Sequence, residues 1–424
     1  MKTELKNGDG PLWLARLVVF IAVVLRLILL LWAGNANETP LTGGSDTLAY
    51  QTLADNIVHL HGMTYASMPT ALRAPLYPYF LALVQFAFGH YYLFVARVIQ
   101  FFAGISVGLV CARASAKLGG LGPVALAAAL ALPTLIFFSA ELLTETFATL
   151  LVATFLLFVL ERRNPSTIGV VIGLAMITRF NLAALAVVYV AYQISVNRLT
   201  LAVRNVSVAG LVAVAIVSPW FVRNLVVFDG QALYSTQAGL NFLQGTVAPD
   251  GRIHGADWAR LSSRLGYPLQ DIEVNTDARL ALPSELDLNR IAARAALKEL
   301  ARTNLFRLAA DKLSYFWLSF DQVFETQEIQ FDKRFVRLAG VFVYWFFLVL
   351  GLWGWRKCKE GNPNVARLFV IYAVVITFLH LPFVMSTRIR APFVEPAIAI
   401  LVGLAFAPPL PRREEPLAAT ATVR

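Results

Sequence analysis

The chain has 424 residues, of which 58% are hydrophobic and only 15% charged, against about 25% charged in an ordinary soluble domain. Apolar stretches near 20 residues long recur along it, which excludes a soluble globular enzyme and predicts an all-α polytopic membrane protein. The net charge of +10 would suggest nucleic acid in a soluble protein; here it reads as basic residues gathered on the cytoplasmic side of a membrane, and no nucleic-acid partner is expected.

The first span is about 11–34. Lys2 and Lys6 precede it and Arg16 and Arg26 lie within it, which places the N-terminus in the cytoplasm. The stretch is too long for a signal-peptide core and lacks a clear small-residue cleavage site, so it reads as a retained anchor. The segment 35–90 then lies outside, with Arg73 its only Lys or Arg. It contains "GGSDTLAYQTLADNI", a helix-start pattern that sets Asp46 and Tyr50 on one helical face. Asp55 projects elsewhere. Local sequence alone also accounts for Asp46 as a first-turn acid stabilised by the helix dipole. The apolar stretch 76–89 is too short to span and reads as interfacial or re-entrant.

Nine further spans follow, at about 91–116, 121–139, 141–160, 166–179, 181–197, 205–226, 335–356, 367–385 and 389–408. Their inner connections, "RASAK", "ERRNP", "NRLTLAVR", "WRKCKEGNPNVAR" and "PRREE", are all basic. About ten spans with both termini inside therefore satisfy the charge rule. Cys111 and Cys358 fall on the inner side, which predicts neither a disulfide nor a metal cluster. The division expected is a membrane module over 1–226, an outer segment over 227–334, terminal spans over 335–410 and a cytoplasmic tail over 411–424. In the outer segment, "PSELDLNRIAARAALKELARTNLFRLAADKL" opens on Ser-x-x-Asp and carries apolar residues at helical spacing. One or two amphipathic helices are expected there.

Charged residues in or at the rim of apolar spans need a reason. All the notable ones fall on the outer side: Arg97, Glu141 and Glu145, Arg179 in "TRFN", Arg223 in "SPWFVRN", and Arg388 with Arg390 in "STRIRAPFVEP". Each arginine alone could snorkel, and Glu–Arg pairs could simply staple helices. Arg97, Glu141 and Glu145 are read as structural or supporting. As a set, the arginines oppose the charge rule that the inner loops obey. Guanidinium forks match phosphate oxygens, so the set suggests an anionic lipid headgroup as ligand.

In order along the chain, "SDTLAYQTLADNI", "RAPLYPYFLALVQFAFG", "SAELLTETF", "GLAMITRFN", "SPWFVRN" and "RIRAPFVEP" resemble the bacterial protein O-mannosyltransferase-like glycosyltransferases. These belong to the GT-C superfamily, which includes the lipid A aminoarabinose transferase. The resemblance covers about 11–400. It implies a GT-C helical bundle with juxtamembrane helices on the outer face. It also implies an inverting transfer of sugar from a polyprenyl phosphate to a lipid, glycan or protein hydroxyl, as in envelope or lipopolysaccharide glycosylation. Asp46 would be the general base, and Arg73 a phosphate contact. Tyr50, Tyr77, Arg179, Arg223, Arg388 and Arg390 would be donor phosphate or sugar contacts.

Two departures leave sugar and acceptor open: Thr47, not an acid, follows Asp46, and Leu72 precedes Arg73. Some GT-C members need a divalent metal. His59, His61, His90, His254 and His380 show no ligand spacing, so no required metal or other cofactor is expected. The resemblance implies a monomer in a bacterial inner membrane, with its site on the periplasmic side. A flippase, or a polymerase or ligase of lipid-linked sugars, is the alternative. Charges gathered at one face beside a large outer segment favour surface chemistry over alternating access.

Overall fold

The structure, a computed structural model, describes residues 10–35, 45–65, 67–247, 284–319 and 333–407. The expected cytoplasmic tail and the 248–283 and 320–332 parts of the outer segment lie outside the described residues. Helices α1 (Gly10–Asn35) and α2 (Ser45–Val58) are followed by a short antiparallel pair, β1 (Thr64–Tyr65) with β2 (Met68–Pro69). Then come α3 (Leu76–Phe88), α4 (Tyr92–Lys117), α5 (Gly122–Ala131), α6 (Pro133–Phe138), α7 (Glu145–Leu160), α8 (Pro165–Thr178), α9 (Ala184–Val196) and α10 (Leu199–Val227). The outer helices are α11 (Ala238–Val247), α12 (Glu285–Leu300) and α13 (Leu305–Leu318). The chain closes with α14 (Lys333–Gly361), α15 (Pro363–His380) and α16 (Thr387–Ala405).

This is a multi-pass membrane protein. Phe20 on α1, Leu211 and Val226 on α10, Phe342 on α14 and Phe378 on α15 are between 66% and 73% exposed. Large apolar side chains arrayed this way face lipid, not water. Each of the ten expected spans contains helix, and by length and composition five helical stretches among the described residues are long and apolar enough to cross a membrane: Leu12–Ala33, Leu76–Lys117, Leu199–Val227, Leu338–Gly361 and Pro363–His380.

Two expected spans are broken. The stretch 121–139 divides between α5 and α6, because Pro133 has no N–H to continue the ladder. The guanidinium of Arg26 caps that break, donating through Nη1 to the Leu130 carbonyl. Arg26 is thus not only a marker of orientation; it is 1% exposed and closes a helix end. The span expected from 141 begins only at Glu145, after an irregular link at 139–144. Carbonyls freed there find side-chain donors. Thr146 Oγ1 donates to Phe138 O at 2.6 Å, Arg97 Nε to Ala140 O at 3.2 Å, and Gln100 Nε2 to Glu141 O at 2.6 Å.

The central helix is α16, in which every residue from Arg390 to Ile400 is buried. It packs along α14, where a Cβ on Gly354 would overlap the Leu401 carbonyl. A second apolar cluster joins α2, α3 and the 139–144 link through Tyr50, Tyr77, Leu81, Phe138 and Leu142. A third seats the outer loop on the end of α10 through Leu53, Met63, Leu72 and Trp220. Ser284 caps α12 by accepting from Asp287 N at 3.2 Å, as its Ser-x-x-Asp start predicts.

Candidate active site

Asp46 lies in the first turn of α2. The two apolar clusters just described fix that helix from both sides, Tyr50 and Ala54 packing one way and Ala49 and Leu53 the other. Arg73 reaches it from the loop before α3, and Arg388 from the first turn of α16. The two guanidiniums take opposite oxygens of the carboxylate, Arg73 Nη2 at Oδ1 and Arg388 Nη1 at Oδ2. Arg388 also donates through Nε to Glu145 Oε1. Arg179 Nη1 approaches the same Glu145 oxygen at 2.7 Å, close enough for an ion pair but outside hydrogen-bonding angles. Four segments distant in sequence thereby supply one connected lattice of three arginines and two acids.

The lattice has depth. The side chain of Glu145 is 0% exposed and that of Asp46 21%, with Arg388 at 29%. Asp46 and Arg388 are therefore at the mouth and Glu145 is the buried counter-charge. Tyr50 lines one wall, with the Arg73 guanidinium 5.6 Å from its ring centroid and the Tyr77 ring edge-on at 5.0 Å. Burial, partly opposed by the Arg73 charge, pushes the Tyr50 phenol above its usual range. The Tyr77 hydroxyl is not open for a ligand, since it donates to Gln100 Oε1 at 2.5 Å. Glu141 lies one layer behind, accepting from Thr47 Oγ1 at 2.8 Å.

The structure separates two expected contacts from this lattice. Arg223 spends both terminal nitrogens on the loop, donating to Thr70 O and Met63 O at 2.9 Å each, and packs over Trp220. It anchors the loop that carries Arg73. Arg390 is 0% exposed and projects from α16 away from Arg388 toward α13 and Tyr344. Two residues apart on a helix is a turn of about 200°, so only one of the pair can face Asp46. Arg97 donates to the Ala140 carbonyl of the 139–144 link. Glu145, read as a support, is instead a member of the lattice.

Gln100 is the residue that sequence reasoning missed. It is 0% exposed and holds Tyr77 and the Glu141 backbone together. Its signal was present: a polar residue three after Arg97, hence on the same face of an apolar helix. Asn181 was also missed. Its amide donates to His380 Nε2 at 3.1 Å, with His380 Nδ1 committed to Ile376 O, and so it ties the turn bearing Arg179 to α15. Among the described residues no group of three His, Cys, Asp or Glu is placed to hold a metal. Cys111 and Cys358 are free and buried.

No protein-family model and no curated protein matches the sequence. Solved structures do. The oligosaccharyltransferase of Archaeoglobus fulgidus, in the apo form, superimposes with a TM-score of 0.53 at 15% identity, over 95% of this chain and 51% of that one. The chain shares the fold of that archaeal membrane protein. The same archaeal enzyme, AglB, in complex with an inhibitory peptide and a dolichol-phosphate, matches at 0.50 and 14% identity, over 93% of this chain and 50% of that one. This chain thus spans about half the length of those structures. ArnT from Cupriavidus metallidurans, bound to undecaprenyl phosphate, scores 0.38 at 15% identity over 92% of this chain and 77% of its own, below the level at which a common fold is shown.

Proposed function

We propose that this chain is an inverting glycosyltransferase that moves a sugar from a polyprenyl-phosphate carrier to a hydroxyl group, on the outer face of a bacterial inner membrane. One observation carries the reading: a part-exposed carboxylate, Asp46, is held at both oxygens by arginines from two separate segments. Structural stapling needs no such exposure. A site that must exchange partners does.

The donor's phosphodiester has two non-bridging oxygens to take Arg73 and Arg388, and the monoester formed on transfer has a third. Those arginines then leave Asp46 with an oxygen for the acceptor's hydroxyl. The hydroxyl oxygen attacks the anomeric carbon, the bond from that carbon to the phosphate oxygen breaks on the opposite side, and Asp46 takes the hydroxyl proton. The leaving group is a prenyl phosphate, whose gathered charge the arginines stabilise. AglB binds a dolichol-phosphate in one of its structures, a ligand of the chemistry proposed here.

The test is transfer from a synthetic polyprenyl-phosphate sugar to membrane acceptors. Asp46→Asn is expected to lose transfer by at least about a hundredfold while still binding donor. Arg73→Ala is expected to weaken donor binding itself. Near wild-type transfer by a folded Asp46→Asn protein would refute the general-base role. Mass spectrometry of surface glycolipids from a deletion strain identifies the product.

A further inference from the structure

We infer that the outer helix α13 is a splint that positions Arg388, acting through Arg390 and Thr387; the inference rests on the donor-binding role proposed for Arg388. The need for a splint arises in α16 itself. Pro392 and Pro396 lie inside that helix. Neither has an N–H, so the carbonyls of Arg388 and Pro392 receive no helical hydrogen bond. The helix is weakened at the turn that carries Arg388, where a phosphate clamp needs a fixed geometry.

The missing support comes from outside. Arg390 Nη1 donates to Phe316 O at 3.2 Å and to Ser319 O at 2.8 Å, both at the C-terminal end of α13. Thr387 Oγ1 donates to the same Ser319 carbonyl at 3.2 Å. Helix ends leave carbonyls unsatisfied, and the partial negative charge there favours a guanidinium. Among the described residues the Arg390 side chain has no hydrogen bond from Nε or Nη2. Its Nη2 stands 3.6 Å from Glu395 Oε1, an ion pair without a hydrogen bond, and its plane lies over Tyr344 at 3.8 Å.

The preceding loop is held by the same helix in the reverse sense. Lys312 on α13 donates to Leu381 O at 2.7 Å and Phe383 O at 2.9 Å. Trp317 Nε1 donates to Thr377 Oγ1 at 3.1 Å. From residue 377 to residue 390, then, α13 holds what α16 does not hold for itself. Arg390 is a positioning residue, set two places from Arg388 and facing away from the ligand.

The test uses the full chain in detergent micelles. Thr387→Val removes one donor, and Arg390→Lys exchanges a two-carbonyl fork for a point charge. Without ligand, hydrogen exchange at amides 388–391 is expected to quicken about tenfold, while amides 398–405 keep their protection. Unchanged exchange at 388–391 overturns the splint. Binding of farnesyl monophosphate then tests the route. The variants are expected to weaken it about tenfold in the wild-type background and to leave it unchanged in an Arg388→Ala background. Equal weakening in both backgrounds overturns the positioning role. Quickened exchange in a protein whose wild type binds no farnesyl phosphate would refute the proposed function and leave the splint standing. If Arg390→Lys does not fold, Thr387→Val carries both measurements, since it loses a single neutral hydrogen bond.

Discussion

Replacing Glu145 with Gln should make the protein less stable and its phosphate binding tighter. Glu145 is wholly buried and is the shared partner of Arg388 and Arg179. Removing one member of a buried pair costs about 3–5 kcal/mol when the other is stranded. Here the loss is smaller. Arg388 keeps Asp46, the glutamine oxygen still accepts one hydrogen bond, and Arg179 and Arg388 are 14% and 29% exposed. A destabilisation of about 2 kcal/mol is expected. Binding moves the other way. Three arginines (73, 179, 388) against two acids (46, 145) leave the lattice at +1, and the substitution makes it +2. One added charge at about 5 Å, at the effective dielectric of about 20 that suits a buried site, contributes on the order of 3 kcal/mol, or about a hundredfold in Kd. Unfolding in mixed micelles and titration with farnesyl monophosphate read the two effects separately. Weaker or unchanged phosphate binding would refute the view of Glu145 as a counter-charge competing with the ligand.

Three further outcomes follow from the geometry. Gln100→Leu leaves the Tyr77 hydroxyl without its acceptor and removes one of two donors to the Glu141 carbonyl, which keeps Leu143 N; a loss of about 1–3 kcal/mol in micellar unfolding is expected, and a loss below about 0.5 kcal/mol contradicts the bracing role. Gly245→Ala places a Cβ into the Phe383 backbone, where α11 crosses the loop before α16. It should cost about 1–3 kcal/mol, and a wild-type melting temperature would show that α11 and the loop do not approach so closely. Burial lowers the Lys312 amine from 10.5 to about 8. The unfolded chain therefore holds more protons between those values, and stability rises with pH across that window, by at most about 3 kcal/mol. Lys312→Met should lack this rise; an identical pH profile in both proteins removes the assignment.

The apolar runs made the helical class legible, and the charge asymmetry picked out residues that the fold brings together. Asp46, Arg73, Arg179 and Arg388 do meet, although they lie in segments up to 342 residues apart. What could not be read was which member of a pair faces inward. Arg388 and Arg390 look equivalent in "TRIRAP", and only the packing of α16 against α13 separates them. Arg223 failed for a related reason: an arginine at a span end serves a ligand or a loop equally well by composition, and here the Met63 and Thr70 carbonyls occupy it. The helix break at Pro133 was visible as a proline. Its consequence was not, because the carbonyl it frees is closed by Arg26, from a different helix.

That last pairing sets an order of assembly. Arg26 sits in the middle of α1, and its acceptor, Leu130, is 104 residues further along. At about 5–20 residues per second the acceptor follows roughly 5–20 s later. Meanwhile a charge that costs about 2.5–3.5 kcal/mol at a helix centre has only the long contact to Ala22 O of its own helix, at 3.5 Å, to meet it. α1 is therefore a poorer resident of lipid by itself than when packed against α4 and α5. One buried donor ties the comfort of a helix in lipid to a carbonyl that the chain supplies 104 residues later.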